Sequence, residues 1–177
     1  MTAGRLVPMP FERRHVLLNL WPLQLHELAS HSGRLPNRHG LFEAEDVETY
    51  APEHHDSWWK EPGVLFPYLI EVDDLPAGFA LVAEGARVRE DAERVVWEYF
   101  VLAPFRGSGA AHAAAAAMFA ESPGPWQVDA LVRNERAVRF WRRTMTEAFG
   151  AVDESTYADD DGSSMRRFRA QSPGRHR

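Results

Sequence analysis

Apolar residues recur every three or four positions over the first part of the chain, the spacing of one face of a helix. This helix is predicted from Phe11 to about His31, and Ser32-Gly33 is a common signal for a helix C-terminus. Pro22 lies inside the stretch and predicts a kink or a split. A polar segment follows, and a second helix is predicted near Ala44–Tyr50.

Farther along, the pattern changes to short apolar runs separated by turn residues, which predict strands. The predicted strands are Leu65–Val72, Gly78–Val82, Val95–Leu102, Gln127–Val132, Val152–Tyr157 and Met165–Phe168. Two hairpins are expected, one across the acidic turn after Val72 and one over Asp159–Gly162. The charged run Glu84–Arg94 predicts a solvated loop, and helices are expected after Gly109 and at Asn134.

This order of elements predicts an α/β fold with a mixed sheet, since helices and strands do not alternate regularly. A chain of 177 residues is long enough for one domain with a hydrophobic core. We expect that domain to cover residues 1–170. Residues 171–177 have nothing to bury and predict a disordered tail.

Composition excludes several classes of function. The chain contains no cysteine, which removes disulfides, thiolate metal ligands and cysteine nucleophiles. Its net charge of −6 argues against a nucleic-acid-binding protein, which is usually basic. No apolar run approaches the roughly 20 residues that cross a bilayer, and the first residues lack the apolar core of a signal peptide. We therefore expect a cytoplasmic protein with no membrane or nucleic-acid partner.

A glycine-containing loop is the strongest functional signal. It joins the predicted strand Val95–Leu102 to an alanine-rich helix and reads Arg106-Gly107-Ser108-Gly109-Ala110-Ala111. A helix N-terminus has free N–H groups and a dipole that favours negative charge, so this loop predicts a pyrophosphate site. It lacks the lysine of nucleoside triphosphate loops and the third glycine of the dinucleotide fingerprint.

The loop instead fits the pattern Arg/Gln-x-x-Gly-x-Gly/Ala, through Arg106, Gly109 and Ala111. Downstream, the segment from Asn134 to Trp141 is similar to Asn-x-x-Ala-x-x-Phe-Tyr. With both motifs, the chain resembles the GNAT superfamily of acetyl-CoA-dependent N-acyltransferases. The resemblance implies a single domain with a mixed, mostly antiparallel sheet flanked by helices.

The same resemblance implies an N-acetyltransferase that uses acetyl-CoA as co-substrate and acts on an amine-bearing acceptor, as a monomer or homodimer. The alternative is a non-catalytic module of the same fold that binds acyl-CoA or has a regulatory role. The departure that keeps this alternative open is Trp141, because the family often has a tyrosine there whose hydroxyl protonates the CoA thiolate. An indole N–H is not a usable acid, which leaves Tyr99, Tyr157 or solvent as the proton donor.

The resemblance also implies the contacts to acetyl-CoA. Backbone N–H groups of the strand, that of Val101 among them, bind the pantetheine arm. The pyrophosphate is surrounded by the amides of Arg106, Gly107, Ser108, Gly109, Ala110 and Ala111. The Arg106 side chain either adds charge or braces the loop. Asn134 is expected to cap its helix and touch the pantetheine arm, and Trp141 to pack on the cofactor or in the core.

Glu98 is the predicted catalytic residue. Strand alternation places it on one face with Val96, Phe100 and Leu102, where desolvation would raise its pKa toward neutrality. The resemblance implies a general base that deprotonates the acceptor amine, often through water. The alternative is a structural glutamate paired with Arg94.

The eight histidines do not predict a metal site. His54, His55 and Asp56 are adjacent, so their side chains diverge. His26 and His31 are five positions apart, which does not match the helical spacing of four. We expect no metal, and a role for His112 on the surface of its helix.

Overall fold

The structure is a computed structural model that describes residues 4–51, 53–87, 92–122 and 124–170. Seven strands form one sheet in the order β1-β2-β3-β4-β5-β7-β6. The strands are β1 (Arg5–Pro8), β2 (Leu65–Val72), β3 (Leu75–Glu84), β4 (Arg94–Val101), β5 (Trp126–Leu131), β6 (Asp153–Ala158) and β7 (Ser164–Ala170). The helices are α1 (Arg14–Ser32), α2 (Ala110–Glu121) and α3 (Glu135–Phe149). Neighbouring strands are antiparallel except β4 and β5, which confirms the predicted mixed, mostly antiparallel sheet.

Each face of the sheet carries an apolar cluster. The cluster under α2 and α3 includes Met118, Trp126, Trp141 and Phe168. The cluster under α1 draws its strand residues from β2, β3 and β4, including Phe79. Helix α1 therefore covers only one half of its face of the sheet. No helix in the described residues is long and apolar enough to cross a membrane.

The first helix is unbroken. α1 contains Pro22, ends at Gly33 with φ +77°, and is preceded by a short 3-10 turn over Phe11–Arg13. Pro22 therefore does not split the helix, and the split that was one of the two predicted outcomes does not occur. The strand β1, which precedes α1 and pairs with β2, was not predicted from the sequence.

The second helix predicted near Ala44–Tyr50 is absent, and these residues form a loop. Buried Asn37 explains the difference. Its Nδ2 donates to the carbonyl oxygens of Ala44 (2.8 Å) and Val47 (2.9 Å), and its Oδ1 accepts from two N–H groups of the same loop. These hydrogen bonds hold the segment in a non-helical conformation.

Strand β4 has a bulge at Trp97. Leu81 of β3 pairs with Glu98 and the next residue of β3 pairs with Val96, so Trp97 has no partner. Val96 therefore packs in the cluster under α2 and α3, whereas Phe100 packs in the cluster under α1. The prediction that Val96 shares a face with Glu98 was wrong, because regular alternation does not allow for an extra residue.

Strands β4 and β5 part after a short contact. Their parallel pairing covers only Arg94–Val96 and Trp126–Val128 in the described residues. The N–H of Leu102 donates to the carbonyl of Ala77 on β3 (2.8 Å). Since successive residues of a strand direct their N–H groups to opposite edges, the N–H of Val101 points to the open edge.

Gly78 allows β3 to lie close to the end of β4. A Cβ at this position would lie 2.0 Å from the carbonyl oxygen of Phe100. We predict that Gly78→Ala lowers the free energy of unfolding by about 2–3 kcal/mol, because the backbone of β4 must move. The measurement is urea denaturation.

The control is Gly33→Ala, where no atom lies within 4 Å and only the positive φ opposes a side chain. Its expected loss is about 1 kcal/mol. Equal losses in the two variants would contradict the close approach of β3 and β4.

Candidate active site

The loop between β4 and α2 presents a group of free backbone N–H groups. Gly107 (φ +79°) and Gly109 (φ +87°) adopt the left-handed conformation that favours glycine, and Gly109 is the N-cap of α2. Within the described residues, no acceptor is bonded to the N–H groups of Gly107, Ser108, Gly109, Ala111 and His112. Free N–H groups at the positive end of a helix can bind an anion such as a phosphate.

Two other N–H groups of the predicted set are bonded inside the loop. That of Arg106 donates to the carbonyl of Ala103 (3.2 Å), and that of Ala110 donates to Ser108 Oγ (3.3 Å). Ser108 Oγ in turn donates to the carbonyl of Phe105 (2.8 Å). The Ser108 side chain therefore stabilises the turn that leads into α2.

The Arg106 side chain joins the loop to α1. Its Nε donates to the carbonyl of Val101 (2.5 Å), and its Nη2 donates to the carboxylate of Glu27 on α1. The Arg106 side chain was expected either to add charge at the site or to brace the loop, and these contacts correspond to bracing the loop. The ion pair with Glu27 also neutralises much of its charge.

Glu98 lies on the α1 side of the sheet and is partly buried. Gln24 Nε2, on α1, donates to Glu98 Oε2. Burial raises the pKa of Glu98 to about 7, although the hydrogen bond from Gln24 acts in the opposite direction. Arg94 instead bonds Glu84 (2.5 Å), so the predicted alternative of a pair with Glu98 does not occur. Glu98 therefore changes its protonation near neutral pH, as a general base requires.

Gln24 was not predicted from the sequence as a site residue. It is 4% exposed and continues the buried stripe of α1 formed by Leu17 and Leu20. A polar residue on an apolar helix face needs a buried hydrogen-bond partner, and that was the available signal. The partner itself lies 74 positions away in the sequence, beyond the reach of local patterns.

Tyr99 of β4 and Trp141 of α3 meet on the opposite face of the sheet, in the cluster that α2 and α3 cover. The Tyr99 hydroxyl donates to the carbonyl of Ala111 (2.5 Å), and burial raises its pKa far above the ordinary value. Trp141 is 4% exposed, with its ring centroid 5.0 Å from that of Tyr99. Tyr99 thus fixes the first turn of α2, and Trp141 occupies the core. A contact between Trp141 and a cofactor stays a prediction.

Helix α3 begins as predicted and also holds α2. Asn134 Oδ1 accepts from the N–H of Ala137 (3.1 Å), which confirms the N-cap. His112, in the first turn of α2, bonds Thr144 Oγ1 (3.1 Å) and Glu147 Oε2 (2.8 Å) of α3. His112 thus connects the two helices beside the loop.

The comparisons with known proteins show the fold. No family model matches the chain, and no curated protein matches it either. A GNAT-family acetyltransferase of Streptococcus agalactiae superposes with a TM-score of 0.69 at 11% identity, over 96% of this chain and 95% of that one. The chain has the GNAT fold.

Two further solved structures share this GNAT fold. One is the spermidine N-acetyltransferase of Vibrio cholerae in complex with CoA and spermine, with a TM-score of 0.66, 9% identity, and 96% and 95% of the two chains covered. The other is a ribosomal L7/L12 alpha-N-protein acetyltransferase in complex with CoA, with a TM-score of 0.66, 13% identity, and 97% and 96% covered.

On the face of the sheet that α1 partly covers, strands β5, β6 and β7 carry polar side chains. The Tyr157 hydroxyl donates to Asp129 Oδ2 (2.8 Å), and Arg167 donates to both oxygens of Asp129 (3.0 Å each). Burial and Asp129 raise the pKa of Tyr157. Because the hydroxyls of Tyr99 and Tyr157 both donate to protein acceptors, neither is placed as a free proton donor.

A groove of about 510 Å³ lies between α1 and the end of β4. Its lining includes Leu23, His26 and Glu27 of α1, together with Phe100 and Arg106. The groove therefore adjoins both the glycine loop and the strand that carries Glu98. It is large enough to hold part of a bound molecule.

His55 is a buried, neutral histidine. It is 6% exposed, and its ring centroid lies 4.2 Å from that of Trp21. Burial, with a smaller effect of His54, lowers its pKa to about 4. In the described part of the chain, no group of three or more His, Asp or Glu residues is arranged to hold a metal ion.

The low pKa of His55 predicts a loss of stability in acid. Between pH 6.5 and about 4 the unfolded chain gains a proton that the folded chain does not, so stability falls as the pH drops. This contribution reaches about 2–3 kcal/mol by pH 4.5. In His55→Gln it should disappear, so the free energy of unfolding should depend less steeply on pH than in the wild type.

Urea denaturation at several pH values between 7 and 4.5 measures this difference. The control is His39→Gln, at an exposed ring, which should keep the steep dependence of the wild type. If the free energy of unfolding of His55→Gln depends on pH as steeply as that of the wild type, the buried ring is not the cause of the loss of stability in acid.

Proposed function

We propose that the chain is an N-acetyltransferase that transfers the acetyl group of acetyl-CoA to a primary amine. The observation that carries the proposal is the position of the free N–H groups of Gly107–Gly109, Ala111 and His112 directly after the strand that bears Glu98. The neighbours with the same fold support it, since two of them were solved with CoA. We further propose a cytoplasmic monomer or homodimer with no nucleic-acid or membrane partner.

The proposed binding of acetyl-CoA follows the open edge of β4. The N–H of Val101 points to this edge and would donate to the pantetheine arm. The free N–H groups of the loop, beginning at Gly107, would bind the pyrophosphate. Asn134 and Trp141 are proposed to complete the contacts, Asn134 at the pantetheine arm and Trp141 through its ring.

Glu98 has the proposed role of general base. The amine nitrogen attacks the acetyl carbonyl carbon, a C–N bond forms and the C–S bond breaks. Glu98 accepts the proton that the amine loses, directly or through a water molecule. CoA leaves as a thiolate and takes a proton from solvent. Backbone N–H groups of β4 polarise the carbonyl during the attack.

The first test is binding. Acetyl-CoA should raise the melting temperature of the protein, while ATP and NAD should not. Gly109→Ala should weaken acetyl-CoA binding by about tenfold, because a Cβ strains the left-handed N-cap and narrows access to the amides. Isothermal titration calorimetry measures the affinity.

The matched control is Gly162→Ala, which has the same type of backbone strain (φ +77°) in the β6–β7 turn. It should lose stability but keep the affinity of the wild type. An unchanged melting temperature with acetyl-CoA would overturn the proposal, including its non-catalytic form.

The second test is catalysis. Release of free thiol from acetyl-CoA should be seen with members of a panel of amines. Glu98→Gln should lower kcat about 100-fold or more, the contribution typical of a general base, and should leave acetyl-CoA binding unchanged. In the wild type, kcat/KM should fall as the pH drops through about 7, where Glu98 takes up its proton.

This acid limb should be absent from Glu98→Gln, and Glu121→Gln, at an exposed glutamate, should behave like the wild type. The glutamine should not unfold the protein. Burial of the charged form of Glu98 costs up to about 3 kcal/mol above pH 7, and the neutral amide avoids this cost. Full turnover in Glu98→Gln would remove Glu98 as the base.

A non-catalytic acyl-CoA-binding module is the second candidate. It is favoured by the presence of Trp141 in place of a tyrosine, and by the engagement of both candidate hydroxyls with protein acceptors. The two candidates differ in one result. Binding of acetyl-CoA with no thiol release on any amine of the panel would favour the module over the enzyme.

A further inference from the structure

Gln24 is the only side chain in the described residues that is hydrogen-bonded to Glu98. Its Nε2 donates to Glu98 Oε2, while its own Oε1 is fully buried and has no partner there. Gln24 is 4% exposed, so this amide is sealed between α1 and the sheet. A buried amide oxygen without a hydrogen bond is uncommon and calls for an explanation.

The two different polar atoms of an amide group explain why Gln24 Oε1 has no partner. An ionised carboxylate only accepts hydrogen bonds, whereas a protonated carboxyl also has an O–H to donate. The Nε2 group of a glutamine suits the first state and the Oε1 atom suits the second. A half-turn of the Gln24 amide exchanges the two atoms, and no other hydrogen bond of Oε1 opposes that rotation.

We propose that Gln24 is a positioning residue for Glu98 that serves both protonation states of its carboxyl group. Gln24 Nε2 holds the carboxylate before the acceptor amine is deprotonated. After Glu98 takes the proton, the amide rotates and Oε1 accepts the hydrogen bond of the new O–H group. Gln24 itself gains and loses no proton. The inference rests on the proposed function, in which Glu98 is the base.

The other groups near Glu98 do not hydrogen-bond its carboxyl group in the described residues. Its pairing partner on β3 is apolar Leu81, and two pairs of charged groups lie on the same side of the sheet. The paired groups are Glu27 with Arg106, and Asp129 with Arg167. His55, which packs on α1 through Trp21, is neutral above about pH 4.

The test is a titration of the Glu98 carboxyl by ¹³C NMR, with glutamate labelled at Cδ. In the wild type the midpoint should lie near pH 7. In Gln24→Met, which keeps the length of the side chain but cannot donate, the midpoint should move up by about one pH unit, because the hydrogen bond to the charged carboxylate is the stronger of the two that Gln24 makes. The acid limb of kcat/KM should move by the same amount, with acetyl-CoA affinity unchanged.

Leu20→Met is the matched control, since it changes the packing of α1 one turn before Gln24 without removing a polar group. It should leave the midpoint of Glu98 in place. An unmoved midpoint in Gln24→Met would assign Gln24 a merely structural role and overturn the inference.

A second measurement does not depend on the folding of Gln24→Met. The side-chain amide resonances of Gln24 should shift with pH about a midpoint near 7, and this shift should be lost in Glu98→Gln. Side-chain amide resonances of Gln24 that do not shift as Glu98 titrates would overturn the inference. A coupled titration of Gln24 and Glu98 in a protein that acetylates no amine would instead uphold the inference and remove the proposed function.

Discussion

The early parting of β4 from β5 is the constraint on which the candidate site depends. In the part of the chain that the structure describes, the two strands pair over only three residues, and the bulge at Trp97 begins where the pairing ends. The parting leaves one edge of β4 open, with the N–H of Val101 directed to it. The bulge turns Glu98 to the α1 side while the preceding Val96 stays on the other. Regular alternation and continuous pairing would remove both features.

Helix α1 then holds this strand from one side. Gln24 and Glu27, three positions apart on one face of α1, bond Glu98 and Arg106 respectively. These contacts tie the candidate base and the glycine loop to the same rigid element, which fixes their relative position. Burial under α1 also raises the pKa of Glu98 and makes its charged form costly. The fold thus gives up some stability to keep a carboxyl group that titrates near neutrality.

Local signals predicted the parts of the site that depend on neighbouring residues. Gly109 marks the start of α2 and Asn134 caps α3, and both follow from the chemistry of one or two helical turns. The parts that depend on distant residues were not predictable. The Gln24–Glu98 bond joins positions far apart in the sequence, the bulge at Trp97 is set by pairing with β3, and the network of Asn37 replaces a predicted helix with a loop.

The central claim is that the open edge of β4 and the loop before α2 together bind CoA. A titration of ¹⁵N-labelled protein with CoA, followed by backbone amide NMR, tests it most directly. The account predicts that the largest shifts occur at the amides of Val101, Gly107, Gly109 and His112, while the turn at Asp159–Gly162 does not respond. Saturable binding that leaves these four amides unchanged, or no binding at all, would contradict the account.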